Sequence, residues 1–125
     1  MPTLKPHDLQ RPAAPCDELF RRAVGAFSEA RWYEAHDHFE ELWRHCSADA
    51  QPAQAVLLVA VALHHARAGN AIGARLAAGR ARAALGAVGQ TWRGLDMARL
   101  AREFAALELS PRLPTSVLRL HRTTP

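Results

Sequence analysis

Residues 52–65, Pro52-Ala53-Gln54-Ala55-Val56-Leu57-Leu58-Val59-Ala60-Val61-Ala62-Leu63-His64-His65, decide the fold. The run from Val56 to Leu63 is apolar at every position, so a helix built from it has no polar face and belongs at the centre of the molecule. β-branched residues cluster only around Val56 to Val61, alanine makes up roughly a fifth of the chain, and no run alternates with period two, so strands find no support. Pro52 suits the first turn of this helix, Gly69 ends it, and Asn70 can cap the next one.

Outward from that centre, the remaining prolines stand near the two ends, Pro2 to Pro15 and Pro111 to Pro125, and leave residues 16–110 free to be helical apart from short breaks. A first helix starting near Asp17 and ending about Ala30 buries Leu19, Phe20, Ala23, Val24 and Phe27. A second, from Trp32, places Ala35, Phe39, Leu42, Trp43 and Cys46 on one apolar stripe. A fourth runs from Ala71 to about Leu85, where Gly73 and Gly79 allow close approach of neighbouring backbones. Gly86, Gly89 and Gly94 loosen the connection to a last helix, capped by Asp96, that buries Met97, Leu100, Ala101, Phe104 and Leu107. The expectation is an all-α single domain of about five helices, an antiparallel bundle or stacked hairpins. The helical domain covers 16–109, between a proline-rich tail (1–15) and a C-terminal tail (110–125).

At 125 residues the chain is one domain's worth, and 49% hydrophobic against 22% charged residues is the balance of a globular protein rather than a disordered one. The N-terminus has no apolar signal region and no segment approaches the roughly 18 uncharged apolar residues of a membrane span, so no membrane partner and a cytoplasmic location are expected. Cys16 and Cys46 lack metal-site spacing and read as free thiols. The net charge of +4 is divided: residues 17–49 carry −4 and residues 67–122 carry +7, so the two halves can neutralise each other on folding. The arginines follow no helix-turn-helix, zinc-knuckle or aromatic stacking pattern, which argues against a nucleic-acid partner. The junctions at 30–35 and 69–74 echo helical-hairpin repeats, but two copies are too few for a repeat array.

Chemistry concentrates in the histidines. His36 and Glu40, at i and i+4, share a helical face that borders the buried stripe beside Trp43. Glu34, Asp37 and Glu41 project away, toward solvent or arginine partners. If the second and third helices are antiparallel, His36 and His64 or His65 stand at heights that differ by only ~3 to 5 Å. Only one of His64 and His65 can turn toward the second helix. Two histidines and one carboxylate are the ligand types of a site for a divalent metal ion, Zn, Mn or Fe, with positions left open for water. The same side chains can instead hydrogen-bond one another and a capping Asn70 with no metal. No GxSxG, Walker, HExxH or paired CxxC motif offers another chemistry.

The segment Arg31-Trp32-Tyr33-Glu34-Ala35-His36-Asp37-His38-Phe39-Glu40-Glu41-Leu42-Trp43, followed by Gln54, His64-His65, Gly69-Asn70, Gly73-Ala74 and Gly94-Leu95-Asp96, resembles the domain of unknown function 309 family over residues 17–108. The resemblance implies a small all-helical prokaryotic protein of a family described as predicted metal-dependent hydrolases. Its motif positions fall on Glu34, His36, Glu40, Trp43, Gln54, His64 or His65, Gly69 and Asn70. The chain departs at Asp37, where Glu is common, and at Ala55, where Gly is common. Two functional expectations follow. In one, His36, Glu40 and His64 or His65 bind the metal ion, with Glu34 or Asp37 as an outer partner of the site or its proton acceptor, acting on an unknown substrate. In the other, the chain is a non-enzymatic module that binds a protein or forms a homo-oligomer through Trp32, Tyr33 and the arginine-rich fourth helix.

Overall fold

In the computed structural model, which describes residues 14–113 and 118–123, the apolar run forms the middle of a helix, Ala50–Arg67, that is buried on nearly every side. It is preceded by α1 (Ala14–Ser28), α2 (Trp32–His45) and a 3₁₀ turn at Ser47–Asp49, and is therefore α3. After it come α4 (Ala71–Ala87), a hairpin of β1 (Thr91–Trp92) and β2 (Leu95–Asp96), and α5 (Met97–Ala105). Consecutive helices pack on one another from α1 through α4, as short connections require of antiparallel neighbours, and α5 packs on α4. Among the described residues the architecture is all-α, with the hairpin as its single sheet.

The local signals act where the sequence places them. Gly69 takes φ +79° after α3, Asn70 accepts a hydrogen bond from the Gly73 amide (2.9 Å), and Asp96 accepts one from the Arg99 amide (2.9 Å). Gly73 is needed because a Cβ there would lie 2.6 Å from the Asn70 side-chain amide and 3.0 Å from the His65 ring. Gly79, by contrast, faces open space, so no backbone approaches it. No described helix is long and apolar enough to cross a membrane.

Four expectations are corrected. The glycine-containing connection is not loose, because Arg93 and Gly94, both at positive φ, form the two-residue turn of the hairpin, in which Trp92 pairs with Leu95. Successive positive φ values match the right-handed twist of the flanking strands. The cysteines are not free: Cys16 opens α1 and Cys46 follows α2, so the helical hairpin brings them to one end, 6.1 Å apart at Cα, and they form a disulfide. Trp43 is 37% exposed because its helical direction is about 60° from the centre of the Ala35-Phe39-Leu42-Cys46 stripe. Trp32 is buried with Phe27 against its ring and cannot be a contact surface, whereas Tyr33 beside it is exposed.

The charged halves do not pair in general either. Among the described residues most arginine–acid pairs are local, such as Arg21 and Arg22 with Glu18. Arg93 alone bridges the halves, to Asp17 and Asp49. The C-terminal segment returns to the hairpin, where the Asp96 amide donates to the His121 carbonyl (2.8 Å), the Thr123 amide donates to Gly94 (2.8 Å), and Leu118 is buried.

Two stability measurements test this packing. Trp92→Ala should cost about 3–5 kcal/mol in denaturant unfolding and Trp43→Ala only about 1 kcal/mol, so equal losses would contradict the assignment of core and rim. Reducing the disulfide, whose cysteines lie 30 residues apart, should lower stability by about 3–4 kcal/mol, read as a drop in melting temperature on adding a thiol.

Candidate functional site

α2 and α3 turn their histidines to a common cavity. Tyr33 and His36 from α2 and Val61, His64 and His65 from α3 line a space of about 220 Å³. The Tyr33 ring lies 6.0 Å from His36 and 5.6 Å from His64, and His64 lies 5.8 Å from His65, centroid to centroid. Both adjacent histidines border the cavity, and only His64 packs on a residue of α2. They differ in partner: His64 packs on Tyr33 of α2, while His65 Nδ1 is 3.3 Å from the Asn70 amide nitrogen at the start of α4.

His36 lies between two carboxylates. Its Nδ1 is 3.1 Å from Asp37 Oδ1 and its Nε2 is 3.4 Å from Glu40 Oε2. Glu40 Oε1 in turn accepts from Arg44 Nη2 at 2.8 Å. Asp37 is exposed, as expected, and also meets the His36 ring. The two ring nitrogens of His36 thus each face a carboxylate oxygen, Nδ1 that of Asp37 and Nε2 that of Glu40. A tetrahedral ion held at about 2.1 Å by each atom would put the two about 3.4 Å apart.

Other candidate residues lie elsewhere. Glu34 pairs with Arg31 and lines an open groove, with Trp32, Tyr33, His64 and Arg67, that shares Tyr33 and His64 with the histidine cavity. Gln54 and Trp43 are exposed and do not line the cavity. His36, Glu40, His64 and His65 do not bring three ligand atoms within 4.8 Å of one another. Among the described residues that closeness is met by Cys16, Cys46 and Asp49, whose thiols are committed to the disulfide.

The sequence profile of a family described as Domain of unknown function (DUF309) matches residues 20–76. That span holds every residue of the histidine cavity. No curated protein and no solved structure matches the chain.

A second polar cluster escaped the sequence reading. Asp49 is the one buried charged side chain among the described residues, and its Oδ1 accepts from Trp92 Nε1 (2.8 Å) and Arg93 Nε (2.7 Å). Its Oδ2 accepts from Arg93 Nη2 (3.0 Å), and Arg93 Nη1 reaches Asp17 (2.6 Å). Hydrogen bonding to Arg93 holds the Asp49 carboxyl below its ordinary range despite burial, and Trp92 adds to the effect. Arg93 is pushed further up by the same contact. The sequence carried only a weak signal, Gly94 at a position that can take positive φ beside Trp92, a large aromatic with an N–H to satisfy when buried.

The lowered carboxyl fixes the sign of a pH dependence. The ionised Asp49 contributes its full stability above the unfolded carboxyl range, near pH 4, and the contribution is lost as pH falls through the lower folded value. Acid unfolding should thus show a step below about pH 4 that is missing in Asp49→Ala, which should itself cost about 3 kcal/mol at neutral pH. An unchanged acid profile in that variant would assign the step to other carboxylates.

Proposed function

We propose that the cavity between α2 and α3 binds a divalent metal ion and that the protein is a hydrolase acting through it. The supporting observation is the His36 Nε2 to Glu40 Oε2 separation of 3.4 Å at the edge of a cavity that His64 and His65 also line. Imidazole and carboxylate donors suit Zn, Mn or Fe, so the donor set fits such an ion. His36 and Glu40 would hold it, with His64 or His65 joining after a side-chain rotation. The bound ion would supply an acidified water as nucleophile. Asp37 fixes the His36 ring by accepting from Nδ1, the kind of outer partner that metal-ligating histidines use. Tyr33 and Val61 complete the wall of the cavity.

A second reading rests on a different observation. Asp37, His36, Glu40 and Arg44 form a continuous line of polar contacts along α2, and His65 contacts the Asn70 cap. These contacts stabilise helix surfaces without any metal. The exposed Tyr33 would then be the protein-binding element of a non-enzymatic module.

Calorimetric titration with Zn²⁺ and Mn²⁺ separates the two. The metal reading expects one ion per chain, a higher melting temperature with metal, and loss of both effects in His36→Ala and Glu40→Ala variants that remain folded. Absence of stoichiometric binding in the parent protein would overturn the metal reading and leave the cluster as a hydrogen-bond network.

A further inference from the structure

Away from the histidines, on the side of α4 that meets the C-terminal segment, lies a cavity of about 250 Å³. Its floor is alanine: Ala66 at the end of α3 and Ala71, Ala74 and Ala78 along α4, side chains that stop at Cβ and so leave a trough. Leu107, Leu109 and Pro111, following α5, form the opposite wall. Arg75 and Arg82, two helical turns apart, also line it with Gly69 and Ser110, and among the described residues no carboxylate does.

The charge around this trough is one-sided. Residues 50–95 contain five arginines and no aspartate or glutamate. Arg93 is consumed by Asp49 and Asp17, whereas neither Arg75 nor Arg82 meets a carboxylate among the described residues. The Arg82 guanidinium is instead held over the Phe104 ring, 5.6 Å from its centroid, which fixes it at the wall and leaves its N–H edges free. A trough with an apolar floor and unpaired guanidinium groups at its rim complements a molecule with a hydrocarbon body and an anionic head. The volume falls below the roughly 300–1,000 Å³ of pockets for drug-sized ligands, so the molecule is small.

We propose that this trough is a binding site for a short-chain aliphatic carboxylate, with the chain on Ala74 and Ala78 and the head group bound by Arg75 and Arg82. The site shares no residue with the histidine cavity and does not depend on metal binding there.

Titration of the full chain with sodium octanoate, in excess EDTA so that no metal can bind the carboxylate, tests the assignment. Saturable binding at one site per chain is expected, weakened about tenfold or more in Arg75→Ala/Arg82→Ala and restored in part by Arg75→Lys/Arg82→Lys. Ala78→Leu should block the trough and abolish binding. Circular dichroism confirms that each variant is folded, and the arginine pair, being exposed, is the test that holds if Ala78→Leu does not fold. Octan-1-ol, with the same chain and no charge, should bind at least about tenfold more weakly. No saturable octanoate binding, binding unaffected by removing both arginines, or equal affinity for the alcohol would each overturn the proposal.

Discussion

Asp49 carries a charge in the interior, and the surrounding structure is arranged to hold it. A lone buried carboxylate is strongly destabilising, so it is retained only where donors surround it. Here they come from Trp92 and from Arg93, which also reaches Asp17 on α1. One side chain thereby links the start of α1, the turn before α3 and the hairpin before α5. The disulfide closes the same end, joining Cys16 to Cys46 three residues before Asp49. Trp92 is the apolar counterpart: its ring packs edge-on against Phe20 of α1 and lies near Phe39 of α2.

That reinforced end leaves the opposite end of the α2–α3 pair available for chemistry. His64 and His65 occur near the C-terminus of α3, where the fully apolar segment gives way to polar residues, and Tyr33 and His36 occur in the first turns of α2. Antiparallel packing places the two groups at one level. The cavity is therefore a consequence of helix length and of the short turn at 47–49, with Asn70 and Gly73 supporting His65 from α4. On the other side of α4, small residues rather than a change in topology create the second cavity, because alanine packs the core closely while leaving a groove beside it.

The helices were largely legible from the chain because their causes are local. Apolar spacing, Pro52, Gly69 and the caps at Asn70 and Asp96 act within a few residues, and each stands where its side-chain type predicts. The candidate site was legible in part. That His36, His64 and His65 lie at one level was expected from counting residues about a turn, and the contact of His36 with Glu40 followed from their i, i+4 spacing. Asp37 was named as an outer partner of the site, although a helical wheel turns it outward; it is exposed, and its rotamer decides the contact with the His36 ring. Trp43 shows the limit of stripe assignment: a residue about 60° from the stripe centre is half-buried, and its neighbours decide how much.

By itself the sequence determined an all-α chain, the burial of α3, the helix ends and the level at which His36 of α2 and His64 and His65 of α3 lie. Only the tertiary structure decided the Cys16–Cys46 bridge, the Asp49–Trp92–Arg93 cluster and the arginine-rimmed trough. The division has a physical basis. Helical periodicity and capping are set by residues within one or two turns, whereas these three features join positions 25 or more residues apart, and a pair at such separation is specified by which elements pack together and at what level, not by its spacing in the chain.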